Sequence, residues 1–210
     1  MVKRLSSDPA ARRGPSPKPV ALRVELLDIE PLIWRRIMVS NQSTLASLHN
    51  YLQWVMGWQD SHAHEFEVGD HTVAPAWRIA EAADLRDVSR YKDEGRVSLA
   101  NVVAELGISG TFEYRYDMGD DWTHRIVIEA PPGLAADLPR CVAGENACPP
   151  EDVGDPPGYA QFLAALADPA HEGHVSMLEW VGGVFDPKGF DLNRINRDWR
   201  PRSRGRKRSP

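Results

Sequence analysis

Apolar and polar residues alternate over 20–29 and again over 33–39, which predicts two strands that each bury one face. Pro31 separates them, because proline cannot donate a ladder hydrogen bond. The same period predicts strands at residues 64–68, 71–77, 111–116 and 122–129. The last two flank the acidic run 117–121, so they predict a hairpin.

Helical spacing begins after Ser43 or Thr44, either of which is a good N-cap, and ends at Gly57. Its apolar stripe consists of Leu45, Leu48, Leu52, Val55 and Met56. Further helices are predicted over residues 98–106, 159–167, 171–181 and 192–199. Because the strands form hairpins among these helices, the predicted class is α+β, a single domain with a largely antiparallel sheet and packed helices.

The charge of the chain is divided unevenly between its middle and its ends. The formal net charge is −5, yet residues 1–19 hold five basic groups against Asp8, and residues 200–210 hold six against none. Residues 20–199 therefore carry −15. The two Pro-, Ser- and Arg-rich ends lack apolar periodicity, so we predict disordered basic tails at 1–19 and 200–210 around a domain at 20–199.

Several classes of protein are disfavoured by composition. No apolar run approaches the roughly 18–20 residues that a membrane span needs, and prolines follow the basic start where a signal peptide would be apolar, so we predict a cytoplasmic protein. Two cysteines in 210 residues are not a disulfide framework. The chain contains no Walker loop, GxGxxG, GxSxG or HExxH motif.

Two histidines, His62 and His64, share one face if they lie on a strand. Such a pair could converge on one ion or substrate, or it could be two core-edge histidines that the backbone satisfies. Both interpretations remain open.

Asp120 and His124 form the second candidate pair, on the predicted hairpin. A nearby aspartate would orient the imidazole and raise its basicity, as in general bases and metal sites. The alternative is a structural turn, because Asp and Gly suit tight turns. Asp120 and His124 are therefore the candidate catalytic residues.

The third candidate is the stretch 131–157, which holds seven prolines and both cysteines and has no periodicity. Long irregular stretches in compact domains are usually functional or disordered. Cys141 and Cys148 are spaced too widely for a zinc knuckle, so a metal would need histidines from other elements. The other interpretation is a packed loop with buried thiols.

Five segments together resemble the plasmid pRiA4b ORF-3-like family, in the order of that family. They are residues 29–36, 48–58 with 62–66, 116–124 (Tyr-Asp-Met-Gly-Asp-Asp-Trp-Thr-His), 141–154, and 185–187 with 190–191. The resemblance implies a single α+β domain and supplies no established activity, cofactor or substrate. Asp155 stands where the family pattern Val-Gly-Gly-Pro has a second glycine, so a local difference is expected in that turn.

Three functions follow as hypotheses. The first is a binding module whose polar pocket holds a ligand or a divalent metal such as zinc. Its ligand-binding candidates are His62, His64, Asp117, Asp120, His124, Glu151 and Asp152, and its metal candidates are His62, His64, His124, Cys141 and Cys148. The second is a hydrolytic enzyme that uses Asp120 and His124.

The third hypothesis is nucleic-acid binding through the basic tails. It is not favoured, because the −15 body repels a polyanion. A cation or a basic partner suits the body better, since acidic groups concentrate at 117–121 and 151–155.

Overall fold

A computed structural model describes residues 17–83, 87–133 and 137–200 of the chain. These ranges form eight strands and six helices. The strands are β1 Pro19–Leu26, β2 Ile33–Ser40, β3 His64–Val68, β4 His71–Ala74, β5 Tyr91–Asp93, β6 Thr111–Tyr116, β7 Trp122–Glu129 and β8 Arg140–Glu145. The helices are α1 Leu45–Met56, α2 Ala76–Ala83, α3 Leu99–Leu106, α4 Pro156–Ala167, α5 His174–Val181 and α6 Leu192–Asp198.

The strands form one sheet in the order β5-β4-β3-β6-β7-β1-β2-β8. Every pairing is antiparallel except that of β4 with β5, which is parallel. The fold is therefore α+β, as the sequence predicts. β1 lies between β2, the next strand in the chain, and β7, with Ala21 opposite Glu129.

The two faces of the sheet differ in chemistry. On one face, side chains such as Leu22 and Ile126 are fully buried with apolar residues of α1, α3 and α4. On the other, Glu25 pairs with Arg23 at 2.6 Å and with Arg125 at 3.3 Å. Alternation along each strand thus separates core from surface, and the buried face is where polar residues need an explanation.

Helix α1 confirms the predicted caps. The Thr44 side chain accepts a hydrogen bond from the Ser47 amide, and Gly57 ends the helix in the left-handed conformation at φ +81°. The strands at His64–Val68, Thr111–Tyr116 and Trp122–Glu129 also have their predicted bounds.

Two predictions of local structure are wrong, and one strand was not predicted. The strand predicted over 71–77 ends at Ala74, because Pro75 follows and the chain then forms α2. The stretch 131–157, expected to have no regular structure, contains β8, which pairs with β2. Strand β5 is three residues long and shows no periodicity that could predict it.

Most of the predicted tails lie outside the described residues, namely 1–16 and 201–210. At the inner end of the first tail, Pro19 already belongs to β1, so the strand begins one residue earlier than predicted. None of the helices in the described ranges is long and apolar enough to cross a membrane.

Asp155 has a structural role at the start of α4. It is the N-cap, with extended backbone at φ −73°, and its carboxylate accepts a 2.8 Å hydrogen bond from the Gly158 amide. The helix then begins with Pro156, a residue well suited to that position. An aspartate therefore provides an N-cap side chain that glycine would lack.

Replacing Asp155 with alanine is expected to lower the free energy of unfolding by about 1 kcal/mol, the usual effect of losing an N-cap side chain. Urea denaturation measures this change, and Asp155→Asn is the matched control because asparagine also caps well. If Asp155→Asn lowers the free energy of unfolding as much as Asp155→Ala does, the capping role is contradicted.

Candidate functional site

Helix α1 carries a histidine on its buried face. His49 is 5% exposed and follows Leu48 in the stripe that packs on the sheet. Its ring stacks on that of His64, the first residue of β3, with a centroid distance of 3.5 Å and an interplanar angle of 3°. Two elements that are each well defined by sequence thus bring two imidazoles into contact.

Each imidazole also faces a carboxylate. His49 Nε2 is 2.9 Å from Asp60 Oδ1, and His64 Nε2 is 2.8 Å from Glu94 Oε2. We call these four residues the imidazole cluster. The metal-ligating atoms of His49, Asp60 and His64 all lie within 4.8 Å of one another.

The imidazole cluster is closed on the sheet side and open at Asp60. Both histidine side chains are 6% exposed and that of Glu94 is 13% exposed, whereas that of Asp60 is 34% exposed. A small ion could therefore enter past Asp60 without passing through the core.

A buried tyrosine orients His49. The hydroxyl of Tyr114, a fully buried residue of β6, is 2.8 Å from His49 Nδ1 and accepts a 3.2 Å hydrogen bond from Gln53 Nε2. Burial, opposed by the hydrogen bond to Asp60, lowers the pKa of His49. The neutral imidazole is the form that binds metals, and the contact at Nδ1 keeps Nε2 directed at Asp60.

His62 lies in a separate cluster of carboxylates. Its Nε2 is 2.9 Å from Asp152 and 3.8 Å from Glu151, and its Nδ1 is 3.4 Å from Asp117. Although partial burial opposes the effect, Asp152 and the other carboxylates raise the pKa of His62. Burial, and then the charge of Asp117, raise the pKa of Asp120, which belongs to the same cluster.

This acidic cluster joins three loops. The Tyr116 hydroxyl donates to Glu151 at 2.7 Å, and the Gln59 amide donates to the other oxygen of Glu151 at 2.6 Å. Five of the seven predicted ligand-binding residues are thus neighbours: His62, Asp117, Asp120, Glu151 and Asp152. Their contacts are with each other and with the chain, so the cluster explains the packing of the loop after β8.

His124 lies elsewhere, in the core. It is fully buried, and its Nδ1 is 3.1 Å from the carbonyl of Trp122 and 3.3 Å from that of Tyr114, so Nδ1 carries the proton. Burial lowers its pKa to about 4. Among the described residues no hydrogen bond or ion pair joins Asp120 to His124, so the expected pairing on the hairpin is not formed. The side chain points to the buried face, away from the acidic loop.

The cysteines are also apart from the histidines. Cys141 in β8 is fully buried, and burial raises its pKa to about 11. Cys148 Sγ lies 3.0 Å from Arg35 Nη2 and 3.1 Å from Met56 Sδ, and burial raises its pKa as well. Both thiols are free. The five metal candidates therefore do not share one pocket but lie in four places. His62 lies in the acidic cluster, His64 in the imidazole cluster and His124 in the core, and the two cysteines lie apart from all three.

The family model described as plasmid pRiA4b ORF-3-like protein matches residues 18–194. This chain belongs to the pRiA4b ORF-3-like family. A similar protein of this kind is Uncharacterized protein y4hQ of Sinorhizobium fredii (strain NBRC 101917 / NGR234), 38% identical over 183 residues, which cover 85% of this chain and 89% of that one.

A solved structure has the same fold as this pRiA4b ORF-3-like protein. It is the crystal structure of a protein of unknown function, MM3350, from Methanosarcina mazei Go1, with a TM-score of 0.72 and 30% sequence identity. The match covers 85% of this chain and 97% of that one. Neither relative's name states an activity.

Three residues of the imidazole cluster in this pRiA4b ORF-3-like protein were not predicted from the sequence, namely His49, Asp60 and Glu94. His49 had a signal, because it occupies a position of the apolar α1 stripe where a polar residue is unexpected. Asp60 lies in the turn before β3, at φ +60°. Glu94 had no signal in the sequence, because its position follows from the short parallel strand β5, which directly precedes it.

Proposed function

We propose that this protein is a metal-binding module that holds one divalent transition-metal ion between His49, Asp60 and His64. The observation that carries the proposal is the approach of their three ligand atoms to within 4.8 Å of one another. Two imidazole nitrogens and a carboxylate oxygen are a common donor set for such ions, zinc included.

The surroundings support this assignment. Glu94 adds a second carboxylate next to His64, so two acids are available to offset the charge of a divalent ion. The hydroxyl of Tyr114 holds the far nitrogen of His49, as partners beyond the ligands do in metal sites. Imidazole donors favour zinc over magnesium, which prefers oxygen.

The test is calorimetric titration of the metal-free full-length protein with zinc sulfate. We expect one zinc per wild-type chain and no stoichiometric binding in His49→Ala or His64→Ala, because each removes a ligand. His62→Ala is the matched control, since it removes a neighbouring imidazole outside the imidazole cluster. Magnesium should produce no binding heat.

A graded variant separates orientation from ligation. Tyr114→Phe keeps the ring and removes the hydroxyl, so it should weaken zinc binding by roughly 10- to 100-fold while circular dichroism shows an intact fold. Absence of stoichiometric zinc in the wild type, or loss of binding in His62→Ala with His64→Ala unaffected, would refute the proposal.

A further inference from the structure

A cavity of about 630 Å³ opens between the C-terminal end of α1, the loop after β8, and α6. Its size falls within the roughly 300–1,000 Å³ of small-molecule sites. Aromatic side chains form much of its wall, namely Trp54, Trp58 and Phe190. Flat apolar groups could pack against them.

A buried guanidinium lines this cavity. Arg35 is 3% exposed, and the ring of Phe190 lies 4.8 Å from its central carbon. Its N–H groups donate to the carbonyls of Val55 (3.1 Å), Trp34, Glu145 and Asn146 (2.8 Å each) and to Cys148 Sγ (3.0 Å). The five acceptors are four carbonyl oxygens and one thiol, and all are uncharged.

The positive charge of Arg35 therefore has no anionic partner. No carboxylate in the described ranges forms an ion pair with it, although buried charges are usually paired. The two acids on the cavity rim are already engaged: Asp191 caps α6 through the Arg194 amide, and Asp198 lies 3.7 Å from the Arg194 guanidinium. The interior of the cavity is thus positive while its rim is balanced.

We propose that this cavity binds a small carboxylate with a flat aromatic body, and that a carboxylate oxygen replaces the sulfur of Cys148 as an acceptor from Arg35 Nη2. Sulfur is a weak acceptor, whereas a carboxylate forms a charge-assisted bond with guanidinium. The aromatic body lies against the tryptophans. This site is separate from the zinc proposal, since no residue of the imidazole cluster lines the cavity.

Calorimetry with 2-naphthoate and its neutral analogue 2-naphthamide tests the charge requirement in the full-length protein. We expect the acid to bind about tenfold more tightly, the difference that one charge-assisted bond in place of a neutral one supplies. Equal affinity for the two compounds, or no binding of either at millimolar concentration, would overturn the proposal.

Substitutions at Cys148 test the displaced sulfur without removing Arg35. Cys148→Ala leaves one N–H of Arg35 without its acceptor, so 2-naphthoate should bind more tightly than to the wild type. Cys148→Ser supplies a hydroxyl that competes as acceptor, so binding should weaken. The opposite order of affinities would contradict the assignment of Nη2.

A further variant tests the location. Ala147→Phe places a ring at the cavity wall and should abolish binding of both compounds. Ala160→Phe, at an exposed position of α4, is the matched control and should leave the affinities unchanged. Unchanged binding in Ala147→Phe would place the ligand elsewhere and refute the site.

Discussion

Replacing Arg35 with methionine should lower the free energy of unfolding by about 4 kcal/mol, because several buried carbonyls lose the donor that satisfies them. The guanidinium connects the end of α1, through Val55, with the end of β8 and its loop, through Glu145 and Asn146. Methionine fills part of the volume and supplies no donor. Urea denaturation at neutral pH measures the change.

The neighbouring arginine provides the control for this prediction. Arg36 forms two hydrogen bonds with Glu129 at 2.6 and 3.0 Å, but its side chain is 34% exposed. Arg36→Met should therefore destabilise by less than about 1 kcal/mol, as for surface ion pairs generally. An equal decrease in the free energy of unfolding in the two variants would mean that the buried hydrogen bonds of Arg35 contribute no more than the exposed ion pair of Arg36.

Acid should destabilise the protein through His124 by roughly 3 kcal/mol between pH 6.5 and 4. Burial lowers the pKa of this histidine from 6.5 to about 4 in the folded state. In that window the unfolded chain binds a proton that the folded chain excludes, so stability falls as the pH falls. Above pH 6.5 both states are neutral at this residue, and its contribution is constant.

His124→Leu should remove this dependence on pH. The difference in unfolding free energy between pH 7 and pH 4 should shrink by roughly 3 kcal/mol in the variant. The exposed His171→Leu is the matched control and should keep the wild-type difference. A variant at position 124 that retains the full acid sensitivity would show that other groups cause it.

The sequence predicts the parts of the fold whose local signals agree with the packing. Helix α1 has its cap at Thr44, its stripe and its stop at Gly57, and the β6–β7 hairpin has alternation on both sides of a turn. In each case the residues that fix the element also bury its face, so local preference and tertiary contacts coincide.

The missed elements depend on distant contacts. Strand β8 exists because it pairs with β2, and at Gly144 an added Cβ would meet the ring of Phe190 at 2.7 Å. Glycine therefore allows a strand where its local propensity is unfavourable. Such a close approach between segments far apart in sequence leaves no periodic pattern to detect.

The candidate site was predictable only in part for the same reason. His62 and its carboxylates were candidates because each lies in a short polar run, although those runs are far apart in sequence. The imidazole cluster could not, since His49 and Glu94 come from a helix and a turn that only the completed sheet brings to His64.

The position of β1 in the sheet has a consequence for how the chain must assemble. One edge of β1 pairs at once with β2, but the other waits for β7, about a hundred residues later in synthesis. Until residue 129 has emerged from the ribosome, β1 offers an unpaired edge that carries Leu22 and Val24, and open apolar edges promote aggregation. Pairing of such distant strands is also slow, because a long loop must close first. Chains truncated before β7 should therefore depend on chaperones, whereas loss of residues after α6 leaves this edge covered.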